Sequence, residues 1–281
     1  DDGNGWVDDC QGIVSFNGDG DPWDDNGHGT HSAGTIGAAG NNGLGVVGVN
    51  WNVTIMACKF LDAGGGGSDD GAIACLDYIA WMKDNGHNIV ATNNSWGGGG
   101  FGQALLDAIH AQRQRGILFF AAAGNWTNDN DAWPFYPANY YAPNLLSIAA
   151  TNRHDSITSF SHWGRRTVHI GAPGEEILST TPGNTYSSFA GTSMATPHVT
   201  GLAALLSAQD PARDWRAIKN LILAGGDANA SLDNTVTQKR LNAYGAMTCA
   251  GSTVFSRLRP IRSSTGTGVG FPLNLSALNI N

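Results

Sequence analysis

The feature that most narrows what this chain can fold into is a regular alternation of short apolar runs with helical segments. Residues 53–60, 88–94, 117–123 and 145–150 are apolar runs of strand length, and residues 168–172 make a fifth. Between them, Asp70 is placed to cap a helix over 71–84, with Ile73, Leu76 and Ala80 on one side and Gly86 ending it. A second helix is expected over 103–115, closed by Gly116, and a last one over 210–224 with Trp215, Ile218 and Leu221 inward. Strands that are apolar throughout, rather than at every second residue, suit a parallel sheet covered on both faces. The expected class is therefore α/β: a three-layer fold with a mostly parallel central sheet and helices on both faces. In such sheets sites form where strands end and loops begin. Two strand-end loops offer bare backbone beside amide side chains: residues 94–98 and residues 123–125.

Length and charge bound the function. With 281 residues the chain is long enough for a large core. A net charge of −8 with only 15 lysines and arginines argues against nucleic acid as a partner. No apolar run is long enough to span a membrane. Charged residues are 14% while Asn, Ser and Thr abound, a balance common in secreted proteins, so a secreted or extracellular location is expected. None of the four cysteines sits in a C-x-x-C pair, which argues against zinc and leaves disulfides and free thiols both open. The first residue is Asp1 and no signal peptide is present, as in a mature form or a fragment. Residues 250–281 change character, and read as a linker and partial C-terminal β extension following a domain over 1–249.

Three stretches carry chemistry. In residues 190–199, Ser193 lies between an extended run and a small, apolar helix over 195–208 with Leu202, Leu205 and Leu206 on its buried side. A hydroxyl at a helix start lies where free N–H groups and the macrodipole favour negative charge, which suits a nucleophile whose reaction builds an oxyanion. Pro197 has no N–H for the carbonyl four residues back, that of Ser193, so the first turn is distorted there. The plain alternative is a buried serine beside a Pro-kinked core helix. The second stretch, residues 26–37, is rich in small residues and reads as a closely packed helix opened by His28. His28 and His31 share a face, but without a nearby Glu a base plus a structural histidine is more economical than a metal pair. The third, residues 1–9, alternates carboxylates and amides around glycines, a pattern that can wrap a hard cation, with Asp2, Asn4 and Asp9 as calcium ligands against the alternative of a solvated loop. The second acidic run, 18–25, reads as surface.

Three segments in this order resemble the subtilisin-like serine proteases: Asn26-Gly27-His28-Gly29-Thr30-His31, Ala122-Ala123-Gly124-Asn125, and Gly191-Thr192-Ser193-Met194-Ala195-Thr196-Pro197-His198. The resemblance covers residues 5–245. It implies a subtilisin-like fold and a serine endopeptidase with His28 as general base, Ser193 as nucleophile and Asn125 as oxyanion donor. It leaves His31 and His198 structural. It implies that an extended polypeptide substrate pairs with Ser95, Trp96 and Gly97 on one side and with Gly67 and Ser68, after Gly66, on the other. Gly124 and Phe135 then fall at the main specificity pocket, Phe135 near its floor and Trp126 near its rim. An apolar residue before the cut is expected, with basic ones disfavoured. Residues 41–46 resemble the family's calcium loop, with Asn42 the side-chain ligand.

The sequence departs from the family at one point. The Asp-Ser-Gly or Asp-Thr-Gly turn that bears the third triad member has no counterpart before His28. The expectation is a chain cut at both ends, whose Asp-bearing strand or propeptide is missing. Against the active protease stands a catalytically impaired or inactive peptide-binding relative, for an imidazole without its carboxylate loses about 10⁴ in rate. A calcium-dependent adhesion module would share the composition but has no use for Ser193, His28 and Asn125 together. An esterase would show a Gly-x-Ser-x-Gly elbow, which is absent around Ser193.

Overall fold

The structure is a computed structural model that describes residues 5–6 and 9–248. In chain order the elements are β1 (Gly12–Val14), α1 (His28–Gly37), β2 (Ala57–Lys59), α2 (Asp69–Asp84), β3 (Ala91–Asn94), α3 (Gln103–Gln114), β4 (Leu118–Ala122), β5 (Leu145–Thr151) and β6 (Ile170–Pro173). There follow β7 (Ile177–Thr181), β8 (Thr185–Phe189), α4 (Thr192–Gln209), α5 (Trp215–Gly225), β9 (Asp227–Ala228), β10 (Lys239–Arg240) and α6 (Ala243–Thr248).

The main sheet has six strands in the order β3-β4-β5-β6-β10-β9. It is parallel up to β10, and only β9 runs against its neighbour. Because side chains alternate across a strand, β4 feeds two cores. Leu118 and Phe120 point into one core with Leu146, Ile148, Val199, Leu202 and Ile218, which brings α4 and α5 onto that face. Phe119 and Ala121 point into the other with Leu76, Leu105 and Ile109, which brings α2 and α3 onto the opposite face. Phe119 and Phe120 are both fully buried. Each such side chain contributes about 1.5–3 kcal/mol. The expected three layers are present.

Several expectations need correcting. The apolar run at 53–60 yields only β2, which pairs in parallel with β1 in a separate two-stranded sheet rather than joining the main one among the described residues. β1 itself lies between the two acidic runs, where no strand is expected; its Ile13 is fully buried. α2 starts earlier than expected, and its cap is Ser68, whose hydroxyl accepts from the Gly71 N–H, rather than Asp70. α5 starts at Trp215 under an Asp214 cap, not at Asp210. The β7–β8 hairpin was not foreseen; it packs on α1 through Ser179 and Thr180, whose hydroxyls donate to the carbonyls of His31 and Thr30. Gly34 has no room for a side chain there, as an added carbon would stand 2.1 Å from Thr180 Oγ1. Cys58 and Cys75 form a disulfide and Cys10 is a free, exposed thiol. The extension at 250–281 and the proposed ligands Asp2 and Asn4 lie outside the described residues.

Candidate active site

Ser193 is the second residue of α4, half-buried at the helix start where the sequence places it. Pro197 lies inside that helix. Its missing N–H leaves the Ser193 carbonyl without a helical partner. The Ser95 hydroxyl takes that place, donating to Ser193 O at 2.7 Å. In return Ser193 Oγ donates to Ser95 O at 3.2 Å. The proline thus ties the segment after β3 to the start of α4. Asn93 supports the tie: its Nδ2 donates to Ser95 Oγ at 2.9 Å.

Asn125 follows β4 and reaches the same place from the other side. Its Oδ1 accepts from the Thr192 N–H at 2.8 Å and from Thr192 Oγ1 at 2.9 Å. Thr192 is itself fully buried and accepts the Gly124 N–H at 3.1 Å. An amide oxygen that faces a backbone N–H cannot be exchanged for its nitrogen, so Nδ2 is turned the other way. A carbon placed on Gly191 would stand 3.4 Å from Asn125 Nδ2 and 3.6 Å from Ser193 N. Two nitrogens that carry N–H groups therefore lie near one point beside Gly191, at the positive end of a helix.

His28 opens α1, which packs directly against α4. It is half-buried, and among the described residues its ring nitrogens have no hydrogen-bond partner; Ser193 Oγ is turned to Ser95 instead. Burial pushes the His28 pKa below the ordinary imidazole value, and His31 lowers it further, while the Asp24 carboxylate works the other way. The ring is thus neutral at neutral pH, as a general base must be.

Asp24, read from sequence as surface, fixes the turn that presents His28. Its carboxylate accepts the N–H groups of Asn26, Gly27 and Thr30 and the Thr30 hydroxyl. Gly27 has φ +100°, a left-handed turn that an L side chain resists. Burial opposes ionisation of Asp24, but these hydrogen bonds outweigh it and hold its carboxyl below the usual value. The available signal was an aspartate just ahead of a helix start. His31 is buried, with Nε2 at the carbonyls of Ile177 and Ser187 and its ring stacked on Phe189 at 4.4 Å. His198 Nδ1 bonds Met194 O at 2.9 Å.

Of the remaining expected positions, Trp96 donates its indole N–H to Asn94 Oδ1 and meets Phe60 edge-on at 5.0 Å. Gly97 lies against Phe135, and Gly67 pairs across a bridge with Leu61. Ser68 is exposed and serves as the α2 cap. Gly124, φ +119°, lies on the His162 ring, which sequence reasoning missed because nothing local links residues 38 apart. Residues 39–47 line an open surface hollow of about 220 Å³. Asn42 Oδ1 accepts the Leu44 N–H there at 3.0 Å. The oxygens of that loop are neutral amides and carbonyls; calcium accepts such donors, though tight sites add carboxylates. Among the described residues no cluster of three or more His, Cys, Asp or Glu side chains could hold a metal; of the expected ligands near the N-terminus, only Asp9 lies among them. No described helix is long and apolar enough to cross a membrane.

Comparison with known proteins fits this geometry. The model of the Subtilase family matches residues 6–246. Subtilisin Savinase of Lederbergia lenta is 40% identical over 79% of this chain and 75% of its own. Alkaline protease of Alkalihalobacillus alcalophilus is 40% identical over 79% of this chain and 53% of its own. Subtilisin-like protease 2 of Plasmodium falciparum is 41% identical over 66% of this chain, which spans only 14% of that relative. A crystal structure of a cold adapted subtilisin-like serine proteinase superposes with a TM-score of 0.72 at 34% identity, over 83% of this chain and 81% of that one.

Proposed function

From the premise that this chain belongs to the subtilase family, we propose that it is a serine endopeptidase working through an acyl-enzyme. Ser193 Oγ attacks the scissile carbonyl. His28 takes the hydroxyl proton and returns it to the departing amine. Asn125 Nδ2 and the Ser193 N–H hold the oxyanion of the tetrahedral intermediate. The observation that carries this reading is that Asn125 Nδ2 and the Ser193 N lie 3.4 and 3.6 Å from one point beside Gly191. For the attack, Ser193 Oγ must leave Ser95 O, a rotation about one bond, and turn to the His28 ring.

The substrate is a polypeptide in extended form. Ser95, Trp96 and Gly97 offer backbone on one side, and Gly67 and Ser68 on the other. A structural calcium ion fits the 39–47 loop in kind, held by Asn42 and loop carbonyls; it takes no part in the chemistry. The composition and the Cys58–Cys75 disulfide favour a secreted protein.

The test is labelling with a fluorophosphonate, followed by mass mapping. Label on Ser193, lost in Ser193→Ala, is the expected result. No label at any pH, with the protein shown to be folded, would support the non-catalytic peptide-binding alternative. Chelation before the melt used as the folding check is expected to lower Tm; an unchanged Tm removes calcium.

A further inference from the structure

The two segments that flank Ser193 are bridged by one side chain. The first, Ser95 to Gly97, is tied to α4 by the reciprocal serine bonds. The second, Gly124 to Trp126, is tied to it through Thr192. Phe135 lies between them. A carbon added to Gly97 would stand 2.4 Å from Phe135 Cε1 and 2.5 Å from Cζ, so the ring rests on that glycine's backbone. Its other neighbours belong to the second segment's side: Trp126, edge-on at 5.5 Å, and His162, edge-on at 5.3 Å.

The backbone that carries the ring is also held. Phe135 N donates to Asn139 Oδ1 at 3.1 Å, and Asn139 Nδ2 donates to Asn130 O at 2.7 Å. Asn130 in turn meets His162 Nδ1 at 2.8 Å and donates to Ala123 O at 2.9 Å. The next residue, Tyr136, accepts the Gly98 N–H at 2.9 Å. The backbone that carries Phe135 is thus fastened to both segments, and a shift of the chain there would break several of these bonds.

We propose that Phe135 determines specificity by filling the recess between these segments, so that the residue whose carbonyl is attacked must be small: glycine, alanine or serine. The proposal rests on the reading of Ser193 as nucleophile and sharpens it. A carbonyl carbon at Ser193 Oγ, with its oxygen turned to Asn125 Nδ2, directs the side chain of its residue between the same two segments. Phe135 takes up the depth that a large side chain would need. Trp126, 68% exposed, covers the outer side. One methylene misplaced in such a recess changes discrimination by about 10–200-fold, and an aromatic ring exceeds one methylene.

The test does not require turnover. Acetylated tetrapeptide acids that differ only in the last residue, alanine or phenylalanine, are titrated against the protein by calorimetry. The alanine peptide is expected to bind at least about tenfold more tightly. In Phe135→Gly the phenylalanine peptide is expected to gain about tenfold or more; Phe135→Ala, which removes less, is expected to move the same way should the glycine variant not fold. Equal or tighter binding of the phenylalanine peptide by the unaltered protein would overturn the proposal. So would failure of both peptides to bind, or an unchanged ratio in a folded variant. If the expected order holds while the fluorophosphonate leaves Ser193 unlabelled, the recess assignment stands and the catalytic reading alone falls.

Discussion

The proposed oxyanion side and the proposed base side of the site are built differently. Asn125 is exposed, yet its Oδ1 is held by two bonds from a fully buried threonine. His28 is half-buried, yet its ring is held by no hydrogen bond among the described residues and owes its place to the α1 turn and to the packing of α1 on α4. The donors must stand still while charge develops, so fixed hydrogen bonds serve them. The base must bind and release a proton. What matters for it is a lowered pKa, which burial supplies, and a carboxylate nearby, which raises it again.

The sharpest way to break the comparison is to remove the pinned donor. Asn125→Ala is expected to lower kcat by about 10²–10³ with little change in KM, the size recorded for this donor in this protease family. A KM effect instead would place Asn125 in ground-state binding.

Thr192→Val is the next step down. It keeps the N–H to Asn125 Oδ1 but removes the hydroxyl that also serves Gly124 N. A fall of about tenfold in kcat is expected, with Thr192→Ser restoring it. An unchanged kcat would mean that the backbone bond alone fixes the amide.

The smallest effect belongs to the base side. Asp24 raises the His28 pKa, so Asp24→Asn is expected to move the acid limb of kcat/KM to lower pH, by a fraction of a unit. The same variant loses the charge on the acceptor of the Asn26, Gly27 and Thr30 N–H groups, and with it the extra strength of those charge-assisted bonds. Because the folded pKa of Asp24 is lowered, that stability is present above its unfolded value and is lost as pH falls through the folded one. Melts of the two proteins should therefore differ at neutral pH and converge in acid. A pH profile that does not move would uncouple Asp24 from His28.

Much of this was legible in the chain. The apolar runs at 117–123 and 145–150 became β4 and β5 because they are buried on both faces, and continuous hydrophobicity leaves no other use for them. The helix from His28 and the one after Gly191 followed from small residues and a turn. β1 was hidden because three residues among acids and glycines give no periodicity to read. The β7–β8 hairpin was hidden because its faces are half polar, and its fit depends on hydroxyls meeting the carbonyls of a helix about 150 residues earlier. Asp24 was legible as an acceptor just ahead of a helix and was misread as surface. Phe135 was placed near a pocket floor only through the resemblance, and its contacts with Gly97, Trp126 and His162 were not legible.

By itself the sequence determined which groups are available: an imidazole at one helix start, a hydroxyl at another, an amide after a buried strand. It also determined that Pro197 would leave the Ser193 carbonyl unserved, since a missing N–H is a covalent fact. Only the tertiary structure decided who serves it. Ser95 does, from 98 residues away, and in doing so ties the segment after β3 to the start of α4. Hydrogen bonds and ring contacts between distant segments depend on positions in space to within a fraction of an ångström, and those positions follow from the packing of the whole sheet and its helices, which no local stretch of chain encodes.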